Sequence, residues 1–375
     1  MQDITTVYGL MNIINIVDHQ QFANYQVLTD GSPTFSLPVV VDPESTVATN
    51  IDLANFYYGQ DESVTFGIDI KSISLEPNGY INGYEGIPAV IVHYKDETGK
   101  FGTFCFGATC VMEGMAYGIQ ELICDHIEVD FFPYHVAEAV CAFLNPELAK
   151  DKLTVILLCD IALNTSHPGK FFYDILTDMN NEKFVPVNYL DFYDYLEKYK
   201  FTDSQGIVHS FYDMYKQKAE IAIRQLNDYF KIPLYDELCK WFKEIIELGI
   251  DFRMKKPGFW IDVLSPLDKE ERKNNFRYLT NYFGFPLMTN RKKHYFFSHP
   301  NIKTNEIIVL KAIQEIHEVM FYEQKGCNMK EFCKQPEDIT SELCNQPWKR
   351  ATGENLCPFG QIWKMWGLDK KEVIG

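Results

Sequence analysis

Apolar positions recur at helical spacing through the second half of the chain. Phe211, Met214, Tyr215, Ala219, Ala222, Leu226 and Tyr229 fall on one face of a helix over 211–230, and Pro233 opens a second amphipathic run that ends at Gly249. A third helix is expected over 268–283, stopped by Gly284 and Pro286. A fourth is expected over 305–325, started near Thr304 and closed by Gly326. Between these two, Leu287-Met288-Thr289 and the stretch from His294 to Phe297 flank Asn290-Arg291-Lys292-Lys293, which predicts a β-hairpin with a basic tip.

The first half is patterned differently. After a helical stretch near 6–20, extended segments are expected at 36–41, 63–70, 89–94 and 101–106, punctuated by turns at Asp30-Gly31-Ser32-Pro33, Pro77-Asn78-Gly79 and Asn82-Gly83. Residues 111–187 mix both periods: a helix before Leu122, an alternating strand over 123–131, a helix opened by Pro133, and the apolar run 153–159, expected as a buried strand. The pattern predicts a multidomain α+β chain. Its parts are a β-rich domain at 1–110, a mixed α/β segment at 111–187 packing on it, a mainly helical domain at 188–325, and a cysteine module at 326–375. Within the helical domain, the order helix, helix, basic-tipped hairpin over 233–300 resembles winged-helix domains, in which the hairpin wing lies against a phosphate backbone.

Composition adds cores and a charge gradient. With 375 residues, 46% hydrophobic and 15% aromatic, the chain has material for two or three packed domains, which excludes a disordered chain. The net charge of −17 is unevenly placed. From Arg253 onward there are 20 Lys and Arg against 15 Asp and Glu, leaving 15 basic and 37 acidic residues before it, so the first part carries −22 and the last part +5. Arg253, Lys255, Lys256, Arg291, Lys292 and Lys293, with Arg272, Lys273 and Arg277, gather cations that would bind phosphate by releasing counterions; a solvated face or a dock for the acidic part is the alternative. Trp260, Tyr278, Tyr295 and Phe296 are placed either to stack on bases or to fill a core. The acidic N-terminal part is a candidate surface for protein partners. Met1-Gln2-Asp3 lacks the basic start of a signal peptide, and the apolar runs are too short to span a bilayer, so a reducing, cytoplasmic setting is expected.

Four of the ten cysteines, Cys327, Cys333, Cys344 and Cys357, fall in the last fifty residues, on a stretch with little else to form a core. Four thiolates complete a tetrahedral zinc site, and the turn-forming residues between them suit a module cross-linked by metal. An iron–sulfur cluster is the alternative, because Pro358 directly follows Cys357. His317 is a further donor, although its neighbours Ile313, Ile316 and Met320 mark a core-facing helical position. Cys105, Cys110, Cys124, Cys141, Cys159 and Cys239 sit in apolar settings and read as core.

For catalysis, a strand over 123–131 would project His126, Glu128 and Asp130 from one face. Two carboxylates so placed hold a divalent cation, and Glu128 and Asp130 with the later His209 and Asp251 are similar to the motif order of archaeo-eukaryotic primases and primase-polymerases. That resemblance implies divalent-metal-dependent nucleotidyl transfer; the histidine spacing departs from the family pattern, and a half-buried strand with a polar outer face accounts for the same alternation. A loop over 160–170 with Asp160, Asn164, Ser166, His167 and Lys170 is a second candidate, but Ser166-His167-Pro168-Gly169-Lys170 lacks a P-loop framework. Nucleophile-elbow, zincin, dinucleotide-binding and EF-hand motifs are absent from the sequence. The leading expectation is a nucleic-acid-binding or processing protein with a structural metal site. Its rival is a non-enzymatic assembly component, as of a virus or mobile element, making protein–protein contacts.

Overall fold

The computed structural model describes residues 6–59, 67–77, 80–81, 84–124, 128–202, 205–231, 235–283, 285–289, 295–298, 304–322, 326–334, 340–353 and 356–374. Helix accounts for 63% and strand for 12%, so the chain is mostly helical with small sheets, an α+β mixture. The strands are β1 (Thr34–Ser36), β2 (Ile68–Pro77), β3 (Tyr80–Ile81), β4 (Tyr84–Glu85), β5 (Pro88–Asp96), β6 (Phe101–Cys105), β7 (Lys200–Thr202), β8 (Val208–Ser210), β9 (Phe285–Thr289), β10 (Tyr295–Ser298) and β11 (Glu372–Ile374). The helices begin with α1 (Val7–Thr29), α2 (Thr46–Tyr58), α3 (Ala108–Ile123), α4 (Val136–Leu144), α5 (Pro146–Ala149), α6 (Lys152–Leu163), α7 (Pro168–Asn181) and α8 (Leu190–Leu196). They continue with α9 (Phe211–Tyr229), α10 (Asp236–Lys255), α11 (Phe259–Leu264), α12 (Lys269–Phe283), α13 (Thr304–Phe321), α14 (Lys330–Cys333) and α15 (Pro358–Met365). No helix among the described residues is long and apolar enough to cross a membrane.

Contacts divide the chain into two units, each assembled from separated segments. Unit 1 holds Met1–Ile14, Thr49–Ile223 and Ile245–Thr280; unit 2 holds Asn15–Ala48, Arg224–Glu244 and Asn281–Gly375. Residues 1–110 are not β-rich throughout, because α1 and α2 occupy much of them. The predicted strands at 89–94 and 101–106 do form, as β5 and β6, and with β2 they make an antiparallel sheet in the order β2-β5-β6.

Unit 1 is centred on α6, in which every residue from Leu153 to Leu163 is buried. This overturns the strand expected at 153–159. A continuous apolar run has no period to distinguish buried strand from buried helix. The decision lies at its ends: Asp151 caps the helix, accepting from Leu153 N at 3.2 Å and Thr154 Oγ1 at 2.9 Å, and the apolar run continues through Ile161 to Leu163. Around α6 pack α3, α4 and α7, with α8 and α11 alongside. The sheet joins this layer through β5, which meets α7 and alternates its burial so that Val90, Val92 and Tyr94 face inward.

Near the start of α7, Gly169 lies against the backbone of Phe106 and Gly107, and an added Cβ would collide with the Phe106 carbonyl oxygen. Backbone cannot yield there as a flexible side chain would. Gly169→Ala is therefore expected to destabilise the protein by about 1–3 kcal/mol in urea unfolding. Gly31→Ala, with open space around the new Cβ, is expected to change stability by less than about 0.5 kcal/mol.

Unit 2 has its own apolar cluster. Ala23 and Val27 of α1, Ala312, Ile316, Val319 and Met320 of α13, and Phe359, Ile362 and Trp363 of α15 are buried together. Strand β1 pairs in parallel with β11, Thr34 opposite Glu372 and Ser36 opposite Ile374, and Phe35 stacks on Trp363 at 6.2 Å between ring centroids. The expected hairpin is present: β9 and β10 are antiparallel, with Tyr295 opposite Thr289 and Phe296 opposite Met288. The helices expected over 211–230, 268–283 and 305–325 correspond to α9, α12 and α13.

Candidate functional site

The four C-terminal cysteines of unit 2 are brought into one neighbourhood. Cys327 donates its backbone N–H to the Cys344 carbonyl at 2.9 Å, which ties the first cysteine to the third. Cys333 closes the short helix α14 through a 2.8 Å bond to the Met329 carbonyl. Cys357 is the N-cap of α15, with Pro358 in the first turn, and its Sγ accepts from Gly360 N at 3.4 Å. Arg350 Nη1 lies 3.6 Å from Cys344 Sγ.

The thiols also act on one another electrostatically. Burial pushes Cys327 up to about 12, with Glu315, Cys333 and Cys357 adding to the rise. Cys333 is pushed up to about 11, again first by burial and then by Cys357 and Cys344, while Arg350 works against the rise. Cys344 and Cys357 are buried, and all four cysteines are free of disulfides. The stretch also has more core than its polar sequence suggests. Cys327, Cys333 and Cys357 rest on the Trp363 cluster, to which α1 and α13 contribute.

The donor set suits a soft or borderline metal, and an N–H aimed at a sulfur is the kind of outer contact that steadies a thiolate ligand. Four thiolates bound 2.3 Å from one zinc would stand about 3.8 Å from each other. Among the described residues, no three His, Cys, Asp or Glu side chains are gathered closely enough to hold an ion. The chemistry of the donors suits a metal site, but the described side chains do not form its geometry. His317 takes the core position that its neighbours suggested, with its ring 4.6 Å from Phe321 and Nδ1 3.3 Å from Gln20 Oε1.

The cationic residues of unit 1 are placed otherwise than expected. Arg253 does not reach a surface: it is 6% exposed and grips Asp160 in a two-pronged ion pair, Nη1 to Oδ2 at 3.0 Å and Nη2 to Oδ1 at 2.8 Å. Trp260, a candidate for stacking on bases, is buried and donates Nε1–H to the same carboxylate at 3.1 Å. Tyr193 OH approaches Oδ2 at 3.4 Å. Burial opposes the charge of Arg253, yet Asp160 holds its pKa above the ordinary arginine value.

Lys255 faces Asp251 at 2.7 Å, Lys256 faces Asp262 at 3.2 Å, and Lys273 faces Glu270 at 2.7 Å, all near the surface. Arg272 reaches the carbonyls of Pro266 and Leu122. Arg291, Lys292 and Lys293 lie outside the described residues. In the sequence they fall between Thr289, the last residue of β9, and Tyr295, the first of β10.

The acidic pair loses its strand. Glu128 and Asp130 are exposed on irregular backbone, and Asp125, His126 and Ile127 lie outside the described residues. The loop expected at 160–170 is also rearranged, because Asp160 belongs to α6 and Asn164 ends that helix by donating Nδ2–H to the Asp160 carbonyl at 2.7 Å. Sequence reasoning missed the Asp160–Arg253 pair. A charged residue embedded in an otherwise apolar run was the signal available, since a buried carboxylate requires a partner.

No protein-family model matches the chain, and neither the curated proteins nor the solved structures include a significant match to it.

Proposed function

We propose that this chain binds nucleic acid through unit 2, with the β9–β10 hairpin as the phosphate-contacting element and the four-cysteine stretch as its support. The reading is supported by the antiparallel pairing of β9 with β10 and by the three consecutive cations, Arg291, Lys292 and Lys293, that lie in the sequence between Thr289 and Tyr295. The cations from 253 to 273 contribute less than their number suggests, because Arg253 is buried and Lys255, Lys256 and Lys273 already face carboxylates. Cys327, Cys333, Cys344 and Cys357 would be the ligands of a zinc ion or an iron–sulfur cluster. With all four positions taken by protein, such a group would cross-link the stretch and supply no open position for chemistry.

Fluorescence anisotropy with labelled single- and double-stranded DNA and RNA tests the reading. Binding is expected to weaken steeply with salt. Replacing Arg291, Lys292 and Lys293 together by alanine is expected to lower the magnitude of the slope of log K against log salt by roughly 2–3. An absence of binding at low salt, or affinity unchanged by the triple substitution, would sink the proposal. Elemental analysis and an absorption spectrum of anaerobically purified protein separate zinc from an iron–sulfur cluster.

A further inference from the structure

Arg350 belongs to a short helical turn over Pro347–Thr352, which lies between the third and fourth C-terminal cysteines in sequence and packs against α15. Its side chain is half-buried, and Nη1–H donates to Cys344 Sγ at 3.6 Å. The same guanidinium acts on Cys333, where its charge favours the thiolate and works against burial. Its backbone meets the support of Cys357. Gly360, whose N–H donates to Cys357 Sγ at 3.4 Å, lies so near that an added Cβ would stand 3.2 Å from the Arg350 carbonyl. One residue thus reaches the surroundings of Cys333, Cys344 and Cys357 together.

The charge of that residue matters more than its bulk. Each thiol that becomes a ligand gives up its proton, so four of them around a divalent ion leave a net negative charge for the surroundings to meet. The Gly360 N–H brings a dipole to Cys357. A guanidinium brings a full charge as well, and a charge-assisted hydrogen bond is roughly twice as strong as a neutral one. Near Cys327 the neighbouring charge has the opposite sign, since Glu315 is buried there and Lys311 Nζ meets it at 2.9 Å. Lys311 is therefore committed to a carboxylate, while Arg350 faces sulfur.

We propose that Arg350 is the outer positioning residue of a zinc site formed by Cys327, Cys333, Cys344 and Cys357. Its guanidinium steadies the charge that Cys344 and Cys333 carry as ligands, and its backbone seats Gly360 against Cys357. This role rests on the four-cysteine reading given above and is separate from any contact of the hairpin with phosphate.

Zinc affinity of the full chain, measured by competition with a chromogenic chelator, supplies the test. Cys344→Ser is expected to weaken zinc binding in the parent, because it removes a ligand. Arg350→Met is expected to weaken it about 10- to 100-fold with the stoichiometry unchanged, the usual effect of losing an outer partner of a metal ligand. Arg350→Lys keeps the charge without the planar fork and should recover part of the loss. Lys349→Met, which removes an exposed neighbouring charge, is expected to leave affinity within about twofold. Cobalt used in place of zinc gives a second readout: the sulfur-to-metal absorption band is expected to move in Arg350→Met, which lacks the N–H to Cys344. Urea unfolding completes the set. Arg350→Met is expected to match the parent after chelation and to fall below it only with zinc present. Affinity of Arg350→Met within about twofold of the parent, or equal destabilisation with and without zinc, overturns the role and leaves the four-cysteine site standing. A parent chain that binds no zinc, or binds it as tightly after Cys344→Ser, overturns the zinc site and the role together.

Discussion

Replacing Asp160 by asparagine is expected to cost about 3–5 kcal/mol of stability, the largest single effect of any side chain described above. Arg253 would remain charged in a site from which water is excluded, with only neutral acceptors in place of a carboxylate. The same loss is expected for Arg253→Ala, which strands Asp160 with Trp260 and Tyr193 as its remaining donors. The pair need not be worth that much in itself, because breaking an ion pair exposes the desolvation of the survivor. Combining Asp160→Leu with Arg253→Met separates the two contributions. The double variant is expected to recover most of the loss, and urea unfolding of all the variants measures the coupling. If Asp160→Asn unfolds within about 1 kcal/mol of the parent protein, the carboxylate is not held in the arrangement described.

Acidification is expected to weaken both units between pH 6.5 and 4. Burial lowers His167 of unit 1 to about 4, with Lys170 and Lys218 adding to the depression. In unit 2, burial lowers His19 to about 4, and His317 falls to about 4 through burial and then through its neighbour His19. In the unfolded chain each titrates near its ordinary value of 6.5, so over this interval the unfolded state binds more protons than the folded one. Stability from these groups is complete above pH 6.5, declines as pH falls toward 4, and stops changing below that. His167 and His317 are each expected to contribute about 1–3 kcal/mol across the interval, allowing for partial exposure. His167→Gln and His317→Gln should flatten the profile for their respective units. Denaturant midpoints that do not move between pH 7.5 and 4.5 would show that the histidines are protonated within the fold.

What the sequence disclosed depended on how much of each signal was local. The face formed by Phe211, Tyr215, Ala219, Ala222 and Leu226 defines a helix without reference to any other part of the chain, and α9 follows it closely. The hairpin was equally legible, because turn chemistry and short strands are neighbours in sequence. The run at 153–159 failed for the opposite reason: a helix buried on every side has no polar stripe, and its surroundings, drawn from α3, α4, α7 and α11, are not visible locally. Arg253 looked like a surface cation because its partner is Asp160, which no local pattern connects to it. The cysteine spacing drew attention to Cys327, Cys333, Cys344 and Cys357, but not to the Trp363 cluster beneath them, since its other layers come from α1 and α13.

The pairing of β1 with β11 sets an order of events during synthesis. Ala23, Val27 and Phe35 emerge from the ribosome early, yet the residues that cover them extend to Leu368 and Val373. Unit 1 receives its last segment by residue 280, so it has the means to close first, while residues 15–48 wait as uncovered apolar chain. The thiols are then enclosed in the final stage of folding. A chaperone trap that captures ribosome-bound chains is expected to hold the 15–48 segment until the 372–374 strand has been released.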